Sequence, residues 1–245
     1  MITFSFITLI LAAFVGAVIS GIVGMAGGVT LLGIMSALLP PAQVAPLHGI
    51  IQLVSNSTRT AVFIRQVRWR IFLSYISTLT LGVWLGTEIW SGRLDWFKPV
   101  IGVFILLFLF SRRYVGRLRN MPLWSFFPLG AVVGLLTLYV GATGPMIAPF
   151  YLRDDMESEQ VIATKAACQT WGHLLKIPAF LSLGFNYRPH ISLLLGMSAV
   201  VIVGTLLGKK ILRRFSREAF TIAYQIVLAL IAAYLIIAGI IKYRA

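Results

Sequence analysis

Apolar residues run along this chain in long stretches, separated by short clusters of charge or by glycine and proline. A hydrocarbon core of about 30 Å needs roughly 20 apolar residues of helix to cross it. Eight stretches approach that length: 2–23, 44–64, 71–90, 97–110, 123–140, 159–183, 191–207 and 219–241. The first and fifth are each followed by a glycine-rich break and a shorter apolar stretch, 29–39 and 146–152, too short to span alone. The pattern predicts an all-α polytopic membrane protein of about eight hydrophobic helices.

The two halves share landmarks. Gly16-Ala17-Val18 recurs as Gly130-Ala131-Val132, Gly27 in the first break pairs with Gly141 in the second, and Gly82-x-x-x-Gly86 with Gly204-x-x-x-Gly208. Between them, Gln52 pairs with Gln169 and Arg59 with Lys176. Landmarks in one order predict duplication, a common origin of secondary transporters. The expected repeats are 1–118 and 119–245, each a glycine-broken helix plus three spans, forming one integral membrane domain. The small-xxx-small pairs also read as close-packing helix faces.

Composition agrees: 59% of the 245 residues are hydrophobic, 11% are charged, and the mean hydropathy is +0.92. The net charge of +14 sits in short clusters between apolar runs, which suits anchoring to anionic lipid. Little soluble surface remains for a nucleic-acid partner. The single cysteine, Cys168, excludes an internal disulfide and a multi-cysteine metal site. The first six residues carry no Lys or Arg, so the opening run is expected to be a retained helix rather than a signal peptide.

Charge also bears on topology. If all eight long stretches span, the loops hold ten Lys/Arg on one side and eight on the other. If each glycine break instead folds the chain back, the counts become thirteen and five. The richer side holds Arg65, Arg68, Arg70, Arg112, Arg113, Arg117, Arg119, Arg153, Lys209, Lys210, Arg213, Arg214 and Arg217. In that threading the positive-inside rule makes the richer side cytoplasmic and the repeats inverted; in the first threading they are not.

Intramembrane ionisable groups mark function by default. His48, Gln52, Ser55, Asn56 and Arg59 fall on one helical face of the second stretch, and Lys165, Gln169, His173 and Lys176 on one face of the sixth. Snorkelling of the cations to the headgroups is the plain alternative. No Asp or Glu lies deep in a stretch: Glu88 and Asp95 flank one loop, and Asp154, Asp155, Glu157 and Glu159 cluster in another connection. Cations and amides without a carboxylate suit an anion. The breaks Gly24-Met25-Ala26-Gly27-Gly28 and Gly141-Ala142-Thr143-Gly144-Pro145 add freed backbone N–H groups at helix starts, with Gly27, Gly28, Thr143 and Gly144 as candidate donors. His48 and His173 are candidates for proton coupling, because an unperturbed imidazole titrates near pH 6.5.

Enzyme chemistry finds no footing. His48, His173 and His190 are scattered, and no Walker-type loop is present. No catalytic residue, metal site or cofactor is expected.

The break at Gly24 to Gly28, its counterpart at Gly141 to Pro145 and the polar helix after each resemble the sulfite exporter TauE/SafE family of bacterial inner-membrane permeases. The similarity covers nearly the whole chain, although Met25-Ala26 stands where the family often has a fuller glycine run. The resemblance implies a multi-pass protein of the cell inner membrane that moves a small sulfur-containing anion, such as sulfite or an organosulfonate. In that reading Gln52, Asn56, Arg59, Lys165, Gln169, His173, Lys176 and the four break residues hold the anion during alternating access. The expected partners are that anion and the lipid bilayer; a homodimer is left open. A membrane-embedded scaffold or assembly factor and a passive anion channel are the competing readings.

Overall fold

A computed structural model of the chain describes residues 2–24, 26–89, 103, 106, 110, 121–214 and 216–244. The fourth apolar stretch, 97–110, lies outside the described residues except for Val103, Leu106 and Phe110. Met25, Asp95, Arg112, Arg113, Arg117 and Arg119 lie outside them too. Among the described residues the regular structure is helical: α1 (Ile2–Val23), α2 (Gly27–Leu38), α3 (Pro41–Val62), α4 (Trp69–Glu88), α5 (Phe126–Val140), α6 (Gly144–Tyr151), α7 (Ser158–Ser182), α8 (Ile191–Leu212) and α9 (Arg217–Arg244). Segments Ser5–Val23 and Arg188–Leu212 are long and apolar enough to cross a membrane by length and composition.

Both glycine breaks reverse the chain. α1 stops at Gly24 and α5 at Gly141, whose φ angles of 75° and 74° are ones that side-chain-bearing residues rarely adopt. In the first hairpin, Gly27 at the start of α2 lies against the Gly16 backbone and the Ser20 hydroxyl of α1. Leu31 and Met35 then share a core cluster with Leu9, Ala13 and Ala17. In the second, the Tyr151 ring at the end of α6 meets Phe126 at the start of α5, 5.5 Å between centroids. Arg153 closes this hairpin by donating to the carbonyl of Met121. The next helix, α7, starts with a capping box. The Glu157 carboxylate accepts the Gln160 amide, and the Gln160 side-chain oxygen accepts the Glu157 amide at 3.1 Å.

Glycines set how the hairpins pack. On α4, Gly82 faces the Ala131 carbonyl, Gly134 and the Leu135 amide of α5; on α8, Gly204 faces the Phe14 carbonyl, Ala17 and the Val18 amide of α1. Phe14 and Ala131, Ala17 and Gly134, and Val18 and Leu135 are each 117 residues apart, as are Gln52 and Gln169, and Arg59 and Lys176. The same contact is therefore made twice, each time by a helix of one half on the broken helix of the other. At this interval Gly24 falls at the place of Gly141, which the sequence paired with Gly27, and Gly16-Ala17-Val18 falls three residues out of step with Gly130-Ala131-Val132. Small residues recur at nearly every turn of these helices, so a slip of about one turn leaves the likeness intact while moving the contact.

Basic residues of the connections before α4, after α6 and after α8 gather at one end of the bundle, while Arg188 precedes α8 at the other. Lys209 donates to the Val62 carbonyl at 3.1 Å. Arg68 reaches the Asp155 carbonyl and Gln160 Oε1 at 2.9 and 3.1 Å. Arg213 stands 3.9 Å from Glu159. In the same region Arg153 pairs with Asp155 at 2.8 Å, and its guanidinium holds that carboxyl below the usual carboxylate range.

The glycine contacts leave no room for a side chain. Gly82→Ala and Gly204→Ala are each expected to lower stability by about 1 to 3 kcal/mol through forced helix separation. Gly172→Ala, whose new methyl would meet only the Leu79 side chain at 3.6 Å, is expected to change it little. Thermal unfolding in detergent checks this; equal stability of all three variants would refute the close-packing account.

Candidate functional site

The stripes on α3 and α7 meet each other in the middle of the bundle. The His48 and His173 rings lie edge to face with centroids 6.2 Å apart, and the Thr60 and Thr170 hydroxyls are 3.4 Å apart. Arg59, Lys165 and Lys176 are only 2%, 1% and 1% exposed, so none of them snorkels. The spacing of three and four residues along each stripe turns all these groups to one side of their helix, and the packing of α3 on α7 then buries that side.

Each buried cation has found oxygen. Lys165 donates to the Gly24 carbonyl at 2.8 Å and Lys176 to the Gly141 carbonyl at 2.6 Å. These carbonyls directly follow α1 and α5, where a helix leaves its last acceptors unpaired and carries partial negative charge. One helix, α7, thus caps the ends of both broken helices. Arg59 Nη2 donates to Ser55 Oγ at 2.6 Å. His48 Nε2 donates to the Gly28 carbonyl at 2.8 Å, which fixes its tautomer and leaves Nδ1 as an acceptor.

A cavity of about 20 Å³ lies between the stripes and the breaks. Its wall takes His48, Gln52 and Arg59 from α3, Lys165, Gln169 and His173 from α7, and Gly28 and Gly144 from the starts of α2 and α6. Those starts present amides without an intrahelical partner. The two glutamines sit alike. A methyl group at Gly28 would come within 3.0 Å of Gln52 Oε1, and one at Gly144 within 2.8 Å of Gln169 Nε2. Only glycine lets each amide side chain lie so close to its break. No Asp or Glu is among the described lining residues. Three buried wall atoms have no hydrogen-bond partner among the described residues: Arg59 Nε, His48 Nδ1 and His173 Nδ1.

Four residues expected at the site stand off the described wall: Asn56, Lys176, Gly27 and Thr143. Asn56 Nδ2 is bonded to the Gln52 carbonyl at 2.8 Å, one turn back. Lys176 is held at Gly141, and Gly27 packs on α1. Thr143 is buried immediately before α6. Conversely, Ser20 and Ala26 line the cavity without having been singled out. Ser20, one turn before the end of α1, was visible as a polar residue in an apolar helix. Ala26 adopts φ 76° and ψ −49°, close to the 74° and −56° of Gly141, and carries the strain of a conformation suited to glycine.

Broken helices whose starts converge on buried cations define a class: a helical membrane transporter with a central polar site. Residues 9–235 match the family described as Sulfite exporter TauE/SafE, and the chain belongs to that family. No curated protein and no solved structure matches the chain.

Two substitutions probe this geometry without any substrate. Lys176→Met leaves the Gly141 carbonyl buried and unpaired and is expected to cost about 1 to 3 kcal/mol. Unchanged thermal stability would show that the cap is not formed. Ala26→Gly relieves a strained backbone and is expected to stabilise by up to about 1 kcal/mol, read as a raised melting temperature.

Proposed function

We propose that the protein carries a small sulfur-containing anion, such as sulfite or an organosulfonate, across the cytoplasmic membrane by alternating access between two inverted halves, 1–118 and 119–245. The observation that carries this reading is the composition of one buried cavity: Arg59 and Lys165, the amides of Gln52 and Gln169, and two helix starts, with no described carboxylate on the wall. An oxyanion is the ligand such donors satisfy. Membership of the sulfite exporter family supplies the sulfur. In this reading Arg59 and Lys165 neutralise the charge, while Gln52, Gln169 and the amides at Gly28 and Gly144 orient the oxygens. Lys176 and Asn56 support the wall from behind.

The doubled contact pattern at an interval of 117 residues supports equivalent halves. The two hairpins support inversion: α1 runs parallel to α8 through the Gly204 contacts, α5 parallel to α4 through the Gly82 contacts, and α4 starts at the basic end where α8 finishes. That basic end supports a cytoplasmic placement by the positive-inside rule. Cavity size bears on mechanism. A space of about 20 Å³ admits little more than one water-sized group, so a four-heavy-atom oxyanion enters only when the walls part. A site that must open and close around its cargo favours a carrier over a permanently open pore. His48 and His173, facing each other with one unpartnered nitrogen apiece, are the proposed carriers of a coupled proton.

Flux of labelled sulfite into proteoliposomes tests the reading. Arg59→Ala is expected to lower saturable uptake roughly 10- to 100-fold, the value of a charge-assisted hydrogen bond, in protein that still unfolds cooperatively. Uptake by Arg59→Ala equal to that of the parent would sink the proposed site. Uptake proportional to concentration without saturation would favour a channel, and no uptake of any sulfur anion by the parent protein would return weight to the scaffold reading.

A further inference from the structure

At the basic end, away from the central cavity, α8 presents a groove of about 430 Å³ lined by Val203, Leu206, Leu207, Lys209, Lys210 and Arg213. The spacing of three and four residues puts Val203, Leu206, Leu207, Lys210 and Arg213 on one face. At 1.5 Å of rise per residue that face is roughly 15 Å long. It changes character along its length, from an exposed apolar floor at 203–207 to cations at 209–213. A membrane helix meets acyl chains along its apolar length and headgroups at its end, so this order of chemistry follows the bilayer's own. We propose that the groove is a binding site for one anionic phospholipid, its acyl chain along Val203, Leu206 and Leu207 and its phosphodiester on Lys210 and Arg213.

Charge decides the headgroup. Lys209 is already turned inward, donating to the Val62 carbonyl and lying 5.0 Å from the centre of the Phe63 ring. Lys210 is exposed, and Arg213 has a side chain 66% exposed. The acidic group facing them from the neighbouring helix is Glu159 on α7, whose carboxylate is 3.9 Å from Arg213 Nε, beyond hydrogen-bond range. Arg214 follows on the same connection and adds to the positive charge there. The groove therefore meets a phosphodiester with two outward cations and an apolar channel for its tail. Because Lys209 ties the same end of α8 to the end of α3, a lipid held here braces the helix that carries Arg59.

Native mass spectrometry on the full-length protein, stripped of lipid in detergent and given equal amounts of phosphatidylglycerol and phosphatidylcholine with matched acyl chains, tests this. Phosphatidylglycerol is expected to be retained preferentially, one molecule per groove. Each basic side chain near an anionic headgroup contributes about five-fold, so Lys210→Gln with Arg213→Gln should reduce the preference roughly 25-fold. Both substitutions are on the surface, and a melting temperature taken without lipid confirms folding. Leu206→Trp, which fills the floor, should reduce retention of both lipids while leaving the cations in place. Equal retention of the two lipids, or an unchanged preference in the double variant, would overturn the proposal. So would displacement of the lipid by an equal concentration of inorganic phosphate, or a second copy of the chain occupying the groove as a lipid-free dimer.

Discussion

The fold turns on how an all-helical bundle keeps three cations at its centre. An ammonium or guanidinium deprived of water is costly unless oxygen replaces the hydration shell, and an intact helix has no carbonyl to spare, because each is bonded four residues on. Breaking a helix frees them. Here two helices stop at Gly24 and Gly141, and Lys165 and Lys176 take the carbonyls so released. The breaks and the buried lysines are therefore mutual requirements: without the glycines the amines would be unpaired, and without the amines the helix ends would be.

The same breaks create the other half of the site. Each stopped helix is followed by a new one whose starting amides point toward the cavity, so a single device provides a capped negative end and an open positive end. The negative ends are consumed by lysine, leaving the positive ends with Arg59 and the two glutamines facing the cavity. That arrangement is what the proposed oxyanion would meet. The hairpins can stand so near one another only because Gly82 and Gly204 let helix backbones touch. That packing holds α7 against both breaks at once.

Much of this was legible along the chain. The first helix coincides with the apolar run 2–23, the breaks fall where the glycines cluster, and the stripes on α3 and α7 appear in the sequence as polar residues at helical spacing within apolar surroundings. Fold-back at the breaks was the threading expected from the arginines and lysines, which it divides thirteen to five. The register between halves was not. Glycine and alanine recur so often in α1 and α5 that a three-residue slip resembles the true alignment, and only the contacts of Gly82 and Gly204 distinguish the two. The roles of the lysines were equally hidden. Lys165 and Lys176 belong to the same stripe, yet one lines the cavity and the other stands behind it.

The sequence by itself determined the membrane class, the described helices and their breaks, and which side chains of α3 and α7 turn inward, because those follow from hydropathy and from the helical period, which are local properties. The tertiary structure decided which inward groups are committed and which remain available. That depends on where a carbonyl ends up relative to an amine 35 residues away at Gly141 and 141 away at Gly24. Distances of this kind are fixed by helix packing, and packing depends on contacts between segments that no local period encodes.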